Sequence, residues 1–271
     1  MKNMFNFLII VAVIYVAIVA TMAVFQRKLL YLPDKNIRLP EQYGLSDFEE
    51  YFIYNSDNIK IQLWYKPAKK HLPTIIYFHG NASHIGNRAG IFSALSNKGF
   101  GVLAVSYRGY GKSSGTPSEQ GLYADARSAI NFAINQKNIP LSDIIIYGES
   151  LGSGVAVQMA SEMNFAGLIL QAPYTSIADR ASEIYWFLPV RMILQDNFNS
   201  LSKIAKIHSP LLIFHGELDS VIPISQGKAI FDAAPQPKKA VYFSDIEHNN
   251  FDSETIANEV FKFISDYDAT K

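Results

Sequence analysis

Six short apolar segments follow one another between residues 74 and 243, and stretches of helical character separate them. They are Thr74–Phe78, Gly101–Tyr107, Ile144–Tyr147, Leu168–Gln171, Leu211–His215 and Ala240–Phe243. Segments that are apolar at successive positions are typical of strands in a parallel sheet that helices cover on both faces. The pattern predicts an α/β fold with a mostly parallel central sheet flanked by helices.

Two earlier segments, Phe48–Tyr54 and Ile59–Tyr65, alternate between apolar and polar residues. The residues at 55–58 between them, Asn-Ser-Asp-Asn, favour a turn. An antiparallel hairpin is therefore expected on the N-terminal side of the parallel strands.

Four segments carry helical signals between and after the strands. They are residues 116–132, Gly152–Glu162, Ile224–Ala233 and Thr255–Tyr267. We expect the first to begin with Thr116 as N-cap, Pro117 at the first helical position and Glu119 three residues after the cap.

Residues 174–207 interrupt the alternation of strands and helices. The segment is rich in apolar and aromatic residues, among them Trp186, Phe187 and Leu188. We predict that it forms a short helical lid inserted between two strands.

The N-terminal segment Met4–Phe25 contains no charged residue. As a helix its 22 residues span about 33 Å, against about 30 Å of bilayer hydrocarbon. This length favours a retained single-span transmembrane anchor. The alternative is a cleaved signal peptide, whose apolar part is usually shorter. Positive charge lies mainly on the C-terminal flank, in Arg27 and Lys28, which favours a cytoplasmic location for the large domain over an extracytoplasmic one.

Length and composition limit the remaining possibilities. The chain has 271 residues, a formal net charge of zero and no cysteine. Disulfides, thiolate metal sites and cysteine nucleophiles are excluded, and the charge indicates no nucleic-acid partner. We expect a membrane anchor at 1–29, a linker at 30–45, and one α/β domain at 46–271 that contains the lid.

The segment 148–152, Gly-Glu-Ser-Leu-Gly, joins a predicted strand to a predicted helix. Such a tight turn needs glycine on both sides of its central residue and presents that residue above the sheet edge. The following helix N-terminus supplies amide N–H groups that suit an oxyanion. Ser150 is therefore the candidate nucleophile.

A serine hydroxyl needs a neighbouring base, and the chain offers six histidines. His248 is the one that follows the last predicted strand, and groups of an α/β active site lie beyond the carboxyl ends of strands. The orienting carboxylate expected is Asp219, after the strand Leu211–His215, with Glu217 and Asp245 as competitors. The order Ser150, Asp219, His248 is that of α/β hydrolases.

The segment 79–82, His-Gly-Asn-Ala, follows the first parallel strand. Backbone N–H groups of Asn81 and Leu151 are the expected oxyanion donors. The histidine spacing predicts no metal site, and no organic cofactor is required. The segment Gly111-Lys112-Ser113 resembles the end of a phosphate-binding loop, but Ser106 stands where that motif needs a glycine.

These motifs, with the segments 106–117 and 215–223, resemble the Bem46 group of α/β hydrolases. This group is related to the ABHD13 and ABHD17 proteins and to bacterial hydrolases named for serine aminopeptidase S33. The similarity covers about 30–263, and Bem46-like members also carry an N-terminal membrane span. The resemblance implies the α/β-hydrolase fold and, position by position, a triad of Ser150, Asp219 and His248.

The expected activity is hydrolysis of a carboxylic ester or an acyl thioester through an acyl-enzyme. A small acyl ester or thioester, or an acylated, lipid-like molecule, is the expected substrate, and the bilayer is the expected partner of the N-terminal helix. A peptidase or amidase of the S33 type and a non-catalytic membrane-anchored scaffold are the alternatives. Acyl specificity and oligomeric state stay open at this point.

Overall fold

The computed structural model describes residues 1–268, which form ten strands and nine α-helices. The strands are β1 (Leu32–Pro33), β2 (Glu49–Tyr54), β3 (Lys60–Lys66), β4 (Thr74–Phe78), β5 (Ala82–Ser83), β6 (Gly101–Ser106), β7 (Ile144–Glu149), β8 (Gly167–Gln171), β9 (Leu211–Gly216) and β10 (Lys238–Phe243). The helices are α1 (Lys2–Leu30), α2 (Ala89–Lys98), α3 (Glu119–Asn135), α4 (Leu151–Glu162), α5 (Ile177–Ile184), α6 (Val190–Ile193), α7 (Leu201–Ile204), α8 (Ile224–Ala233) and α9 (Ser253–Asp268).

Eight strands form the central sheet, in the order β10-β9-β8-β7-β4-β6-β3-β2. The six strands from β10 to β6 are parallel, while β3 pairs antiparallel with β6 and with β2. The predicted mostly parallel sheet and the predicted N-terminal hairpin are both confirmed.

Helices cover both faces of this sheet. In β4, Ile76 and Phe78 pack into one core with α3 and α4, whereas Ile75 and Tyr77 point into the other core with α2 and α9. All four side chains are essentially inaccessible to solvent. The apolar character of successive strand positions follows from this burial on both faces.

Helix α3 begins later than the sequence predicts. Its N-cap is Ser118, whose hydroxyl accepts the Gly121 N–H at 3.2 Å, so the expectation that Thr116 caps the helix is wrong. Pro117 lies instead in the preceding loop, against Gly109, where an added Cβ would come within 2.7 Å of the proline ring. Ser118 therefore takes the capping role, and Glu119 is the first residue of the helix.

Helix α1 is long enough and apolar enough to cross a membrane, with a mean hydropathy of 2.9 over its best 18-residue window. None of that window is buried against the rest of the protein. The following segment, expected as a linker, packs onto the α/β domain through buried Tyr31, Ile37 and Leu45, and β1 pairs with β5.

The insert between β8 and β9 contains the three short helices α5, α6 and α7. We call residues 174–207 the lid. Its outer surface exposes large apolar side chains, including 82% of Trp186 and 86% of Met192.

Candidate active site

Ser150 occupies the turn between β7 and α4. Its backbone has φ 51° and ψ −117°, a conformation that non-glycine residues rarely adopt. The Ser150 N–H donates to the Gln171 carbonyl at 2.8 Å, which fixes the turn against β8. This fixed backbone sets the direction of the Ser150 Cα–Cβ bond.

Glycine is required on both sides of this turn by close packing. A Cβ on Gly152 would lie 2.0 Å from the Phe78 carbonyl oxygen, and one on Gly148 would lie 2.4 Å from the Gly152 oxygen. Gly152 therefore allows the N-terminus of α4 to approach the end of β4, and Gly148 allows the start of α4 to pack against the end of β7.

The structure brings Ser150, His248 and Asp219 into contact. The His248 Nε2 atom lies 2.9 Å from the Ser150 hydroxyl, and its Nδ1 atom lies 2.7 Å from the Asp219 carboxylate. Asp219 follows β9, and His248 follows β10, as the sequence predicts. Both distances suit a nucleophile, a base and a group that orients the base.

Asp219 is held in its ionised form. Burial raises the pKa of this carboxyl, but hydrogen bonds from His215, His248 and the Ile222 amide outweigh burial, so the pKa lies well below its usual range. The Val221 and Ile222 amides donate to its second oxygen at 2.9 and 2.7 Å. An ionised Asp219 makes the Nδ1 atom of His248 a donor, which leaves Nε2 as an acceptor for the serine proton.

The two expected oxyanion donors, Asn81 and Leu151, line the same cavity as Ser150. The Asn81 side-chain amide donates to the Leu30 carbonyl at 3.0 Å, so the side chain is directed away from a substrate role. The backbone N–H groups of Asn81 and Leu151 meet no hydrogen-bond acceptor within residues 1–268. Both are available to an oxygen atom above the serine.

The other candidate groups lie elsewhere. His79 is fully buried beside Tyr107, and burial lowers its pKa to about 3, so it stays neutral. The Nε2 atom of His215 contacts the Ile222 carbonyl at 2.8 Å and lies 3.5 Å from the Asp219 carboxylate. Among the described residues, neither Glu217 nor Asp245 contacts His248.

An ion pair next to the turn was not predicted from the sequence. Arg88 donates two hydrogen bonds to Glu149, the residue before Ser150, at 2.8 and 3.1 Å. Arg88 also donates to the Ala82 carbonyl at 3.0 Å, and Tyr77 donates to Glu149 at 2.7 Å. The pair thereby joins the serine turn to the loop that carries Asn81. The position of Glu149 inside the serine motif was the one available signal.

Burial raises the pKa of Glu149, but the nearby Arg88 charge and the hydrogen bonds from Arg88 and Tyr77 outweigh it, so the pKa lies below its usual range. Glu149 is therefore an anion locked in a pair, which leaves His248 as the base nearest to Ser150. Within residues 1–268, no group of three or more acidic or histidine side chains is arranged to hold a metal ion.

A cavity of about 280 Å³ extends from Ser150 beneath the lid. Its walls are mostly apolar and come from the lid, from the loop after Asp219 and from the end of α1. The lining residues include Leu29, Leu30, Tyr174, Ile177, Ile184, Leu188, Ile193 and Ile222. The arrangement suits an apolar group attached to a carbonyl carbon at the serine.

Comparison with known proteins identifies the family and the fold. A family model described as serine aminopeptidase S33 matches residues 69–202. An uncharacterized protein of Mycobacterium tuberculosis is 32% identical over 246 residues, which cover 89% of this chain and 88% of that protein. Protein bem46 of Schizosaccharomyces pombe is 28% identical and covers 86% and 80% of the two chains.

Two further comparisons concern named lipases and esterases. The zebrafish (Danio rerio) lysophosphatidylserine lipase ABHD12 is 29% identical over 75% of this chain and 63% of its own length. An esterase of Pyrococcus furiosus superposes with a TM-score of 0.72 at 19% identity, covering 87% of this chain and 97% of the esterase. The last comparison concerns the fold, which is that of the α/β hydrolases. The resemblance to the Bem46 group is confirmed, and the chain belongs to the hydrolase family described as serine aminopeptidase S33.

Proposed function

We propose that the protein is a serine hydrolase that cleaves carboxylic esters or acyl thioesters through a covalent acyl-enzyme. The observation that carries the proposal is the position of His248, which contacts the Ser150 hydroxyl at 2.9 Å and the Asp219 carboxylate at 2.7 Å. Such a chain of contacts is what converts a weakly nucleophilic hydroxyl into an attacking group.

In the first half of the reaction, the Ser150 oxygen attacks the substrate carbonyl carbon while His248 Nε2 accepts the serine proton. Asp219 stabilises the imidazolium that results. The carbonyl oxygen becomes negatively charged and accepts hydrogen bonds from the Asn81 and Leu151 amides. When the tetrahedral intermediate collapses, the bond to the leaving group breaks, and His248 gives its proton to the alkoxide or thiolate.

In the second half, water replaces the leaving group. His248 removes a proton from the water as its oxygen attacks the acyl carbon on Ser150. Collapse of this second intermediate releases the carboxylic acid, and His248 returns the proton to the serine oxygen. Apart from the substrate and water, these steps use only Ser150, His248, Asp219 and the amides of Asn81 and Leu151.

Three lid carboxylates could recognise the amine of a peptide substrate, but each is paired with an arginine. Asp179 binds Arg191 at 2.5 Å, and Glu183 binds Arg180 at 2.8 Å. Asp196 binds Arg27 at 2.8 Å. Since none of the three lines the cavity, an ester or thioester fits the site better than a peptide with a free amine.

The relatives support an acyl substrate as well. A lysophosphatidylserine lipase is among the similar proteins, and an esterase is among the similar structures. With α1 as a single-span anchor and residues 46–271 as the α/β domain, the site would lie near a bilayer. Arg27 and Lys28 at the end of α1 favour the cytoplasmic side for this domain.

A fluorophosphonate probe tests the proposal directly, because it reacts with a serine only when that serine is activated. The full-length protein in detergent should be labelled on Ser150, and Ser150→Ala should not. Ser161→Ala, on the exposed side of α4, is the matched control and should be labelled like the wild type. A folded wild-type protein that is not labelled would refute the proposal.

A further inference from the structure

The end of α1 is part of the wall of the cavity. Met22, Gln26, Leu29 and Leu30 line the same space as Ser150. A helix that served only as a tether would need no contact with the site. These four residues therefore connect the membrane-facing helix to the place where the acyl group would lie.

Polar contacts join the lid to the end of α1 and to Tyr31, the residue that follows it. Arg27 binds Asp196 through two hydrogen bonds at 2.8 and 3.0 Å, and Tyr31 donates to the same carboxylate at 3.1 Å. Gln26 donates to the Ile193 carbonyl at 2.9 Å. A two-point arginine–carboxylate pair fixes orientation as well as distance, so α1 and the lid have a defined arrangement.

A further contact lies much nearer the N-terminus of α1. The Tyr15 hydroxyl donates to the Phe187 carbonyl of the lid at 2.9 Å. Tyr15 lies ten residues before Phe25, which is about 15 Å along a helix, or about half of the hydrocarbon thickness. The tip of the lid thus lies beside the apolar part of α1. A backbone carbonyl in that environment needs an internal donor, and Tyr15 provides one.

The lid surface next to this contact is apolar and exposed. Ile184 and Phe187 are exposed by 49% and 48%, and Trp186 and Met192 by more than 80%. A patch of this kind on a protein in water is costly, whereas beside a membrane-spanning helix it is in contact with lipid. The bilayer is the occupant that the adjoining apolar helix specifies.

The cavity has its mouth at the same place. Leu29 of α1 and Ile184 of the lid line the cavity, and yet they are 53% and 49% exposed. They therefore mark an opening between α1 and the lid, which exposed apolar side chains of both elements border.

We propose that the acyl chain of an amphiphile resident in the bilayer enters the cavity sideways, between α1 and the lid, and that α1 is a wall of the substrate site. This inference rests on the proposed function, because it takes Ser150 as the nucleophile. It predicts that the lid tip is immersed in lipid and that the mouth limits access for long chains more than for short ones.

The two tryptophans of the chain allow the first part to be tested without catalysis. Trp186 is 82% exposed on the lid, and Trp64 is buried in the core. In vesicles of lipids brominated on their acyl chains, Trp64→Phe, which keeps only Trp186, should lose most of its fluorescence. Trp186→Phe, which keeps only Trp64, should lose little. Equal quenching of the two variants would overturn the proposed lid contact.

The second part is tested in the same vesicles by turnover. Leu29→Trp places a bulky ring at the mouth, and Val24→Trp places the same ring on an exposed part of α1 that does not line the cavity. We expect Leu29→Trp to lower the ratio of long-chain to acetyl ester hydrolysis at least about tenfold, the size of effect that one group in a pocket produces. Val24→Trp should leave this ratio unchanged.

The possible failures of the two proposals differ. An unchanged ratio of long-chain to acetyl ester hydrolysis in Leu29→Trp would refute entry at the mouth. Hydrolysis by the wild type would still support the proposed function. Conversely, strong quenching of Trp186 in a protein that hydrolyses no ester or thioester would refute the proposed function and support the lid contact. If the substrate were instead an acylated protein that reaches the site from water, the enzyme in detergent and the enzyme in vesicles should cleave it equally well. That result would also refute entry from the bilayer.

Discussion

Arg88 holds Glu149 by two hydrogen bonds directly beside Ser150, and its third contact, to the Ala82 carbonyl, reaches the loop of Asn81. One arginine therefore connects the turn of the proposed nucleophile, Ser150, with the loop of one proposed oxyanion donor, Asn81. The two side chains of the pair are only 15% and 12% exposed. Their arrangement has a direct consequence for stability.

Loss of Arg88 alone should be strongly destabilising. Arg88→Leu leaves the Glu149 carboxylate buried without its partner, which costs about 3–5 kcal/mol in the free energy of unfolding. The double variant Arg88→Leu/Glu149→Leu should recover part of that loss, since no charge remains buried. Urea denaturation measures both values. If the double variant were less stable than Arg88→Leu, the account of the pair would be wrong.

The exposed pair Arg127–Glu162 is the matched control. Its side chains are 41% and 28% exposed, and it contacts neither the serine turn nor the Asn81 loop. Arg127→Leu should cost no more than about 1 kcal/mol.

Ser150→Ala should lower kcat by a factor on the order of 10⁴–10⁶ while the fold is kept, because the serine is the attacking group. Steady-state hydrolysis of a p-nitrophenyl ester by the full-length protein is the measurement, with circular dichroism to confirm folding. Ser161→Ala should retain wild-type kcat. Activity of Ser150→Ala within tenfold of the wild type would exclude the serine mechanism.

The length of the substrate's acyl chain should affect kcat/KM. Each methylene that enters the apolar cavity contributes about 0.8 kcal/mol, or about a fourfold gain in kcat/KM, until the cavity is filled. Acyl esters and acyl thioesters of increasing length, presented in vesicles, give the two series to compare. A flat series would indicate that the acyl group does not occupy the cavity.

Acid should weaken the fold through Asp219. Its pKa in the folded protein lies below the value of about 3.9 for an unfolded chain, so the unfolded form binds more protons at low pH. The stability that it contributes is complete above about pH 5 and is lost as the pH falls towards the folded-state pKa. Asp219→Asn should therefore lose less stability than the wild type between about pH 5 and 3, as urea titrations can measure. Equal losses would contradict this account of Asp219.

Sequence reasoning identified the elements that packing dictates. The strand at Thr74–Phe78 and the helix at Ile224–Ala233 have the predicted bounds, because each has clear apolar and turn signals. Helix α2, residues 89–98, was not predicted. It has only ten residues, fewer than the roughly 11–18 over which a helical periodicity can be recognised, although half of them, Ile91, Phe92, Ala94, Leu95 and Ser96, are buried. The predicted start of α3 was wrong because two residues that can act as caps, Thr116 and Ser118, lie two positions apart.

In the candidate site as well, the residues at strand ends were predicted from the sequence, and the contacts between distant segments were not. Ser150, Asp219 and His248 follow strand ends in the order that the sequence suggests, and the structure brings the three side chains together. The pairing of Arg88 with Glu149 joins residues 61 positions apart, and although Glu149 stands inside the serine motif, no local pattern indicates its partner. The contact of Arg27 with Asp196 spans 169 positions and depends on how the lid folds back, which single-sequence periodicity does not describe.

The carboxylate of Asp196 receives Arg27 and Tyr31 from the N-terminal part of the chain. Deleting residues 1–30, the usual way to obtain a soluble form of an anchored hydrolase, would therefore do more than release the protein from a membrane. It would remove one side of the cavity and leave a buried carboxylate of the lid without its arginine. A substrate screen on such a shortened protein would report the preferences of an opened cavity, so the preparation itself would decide which esters seem to be good substrates.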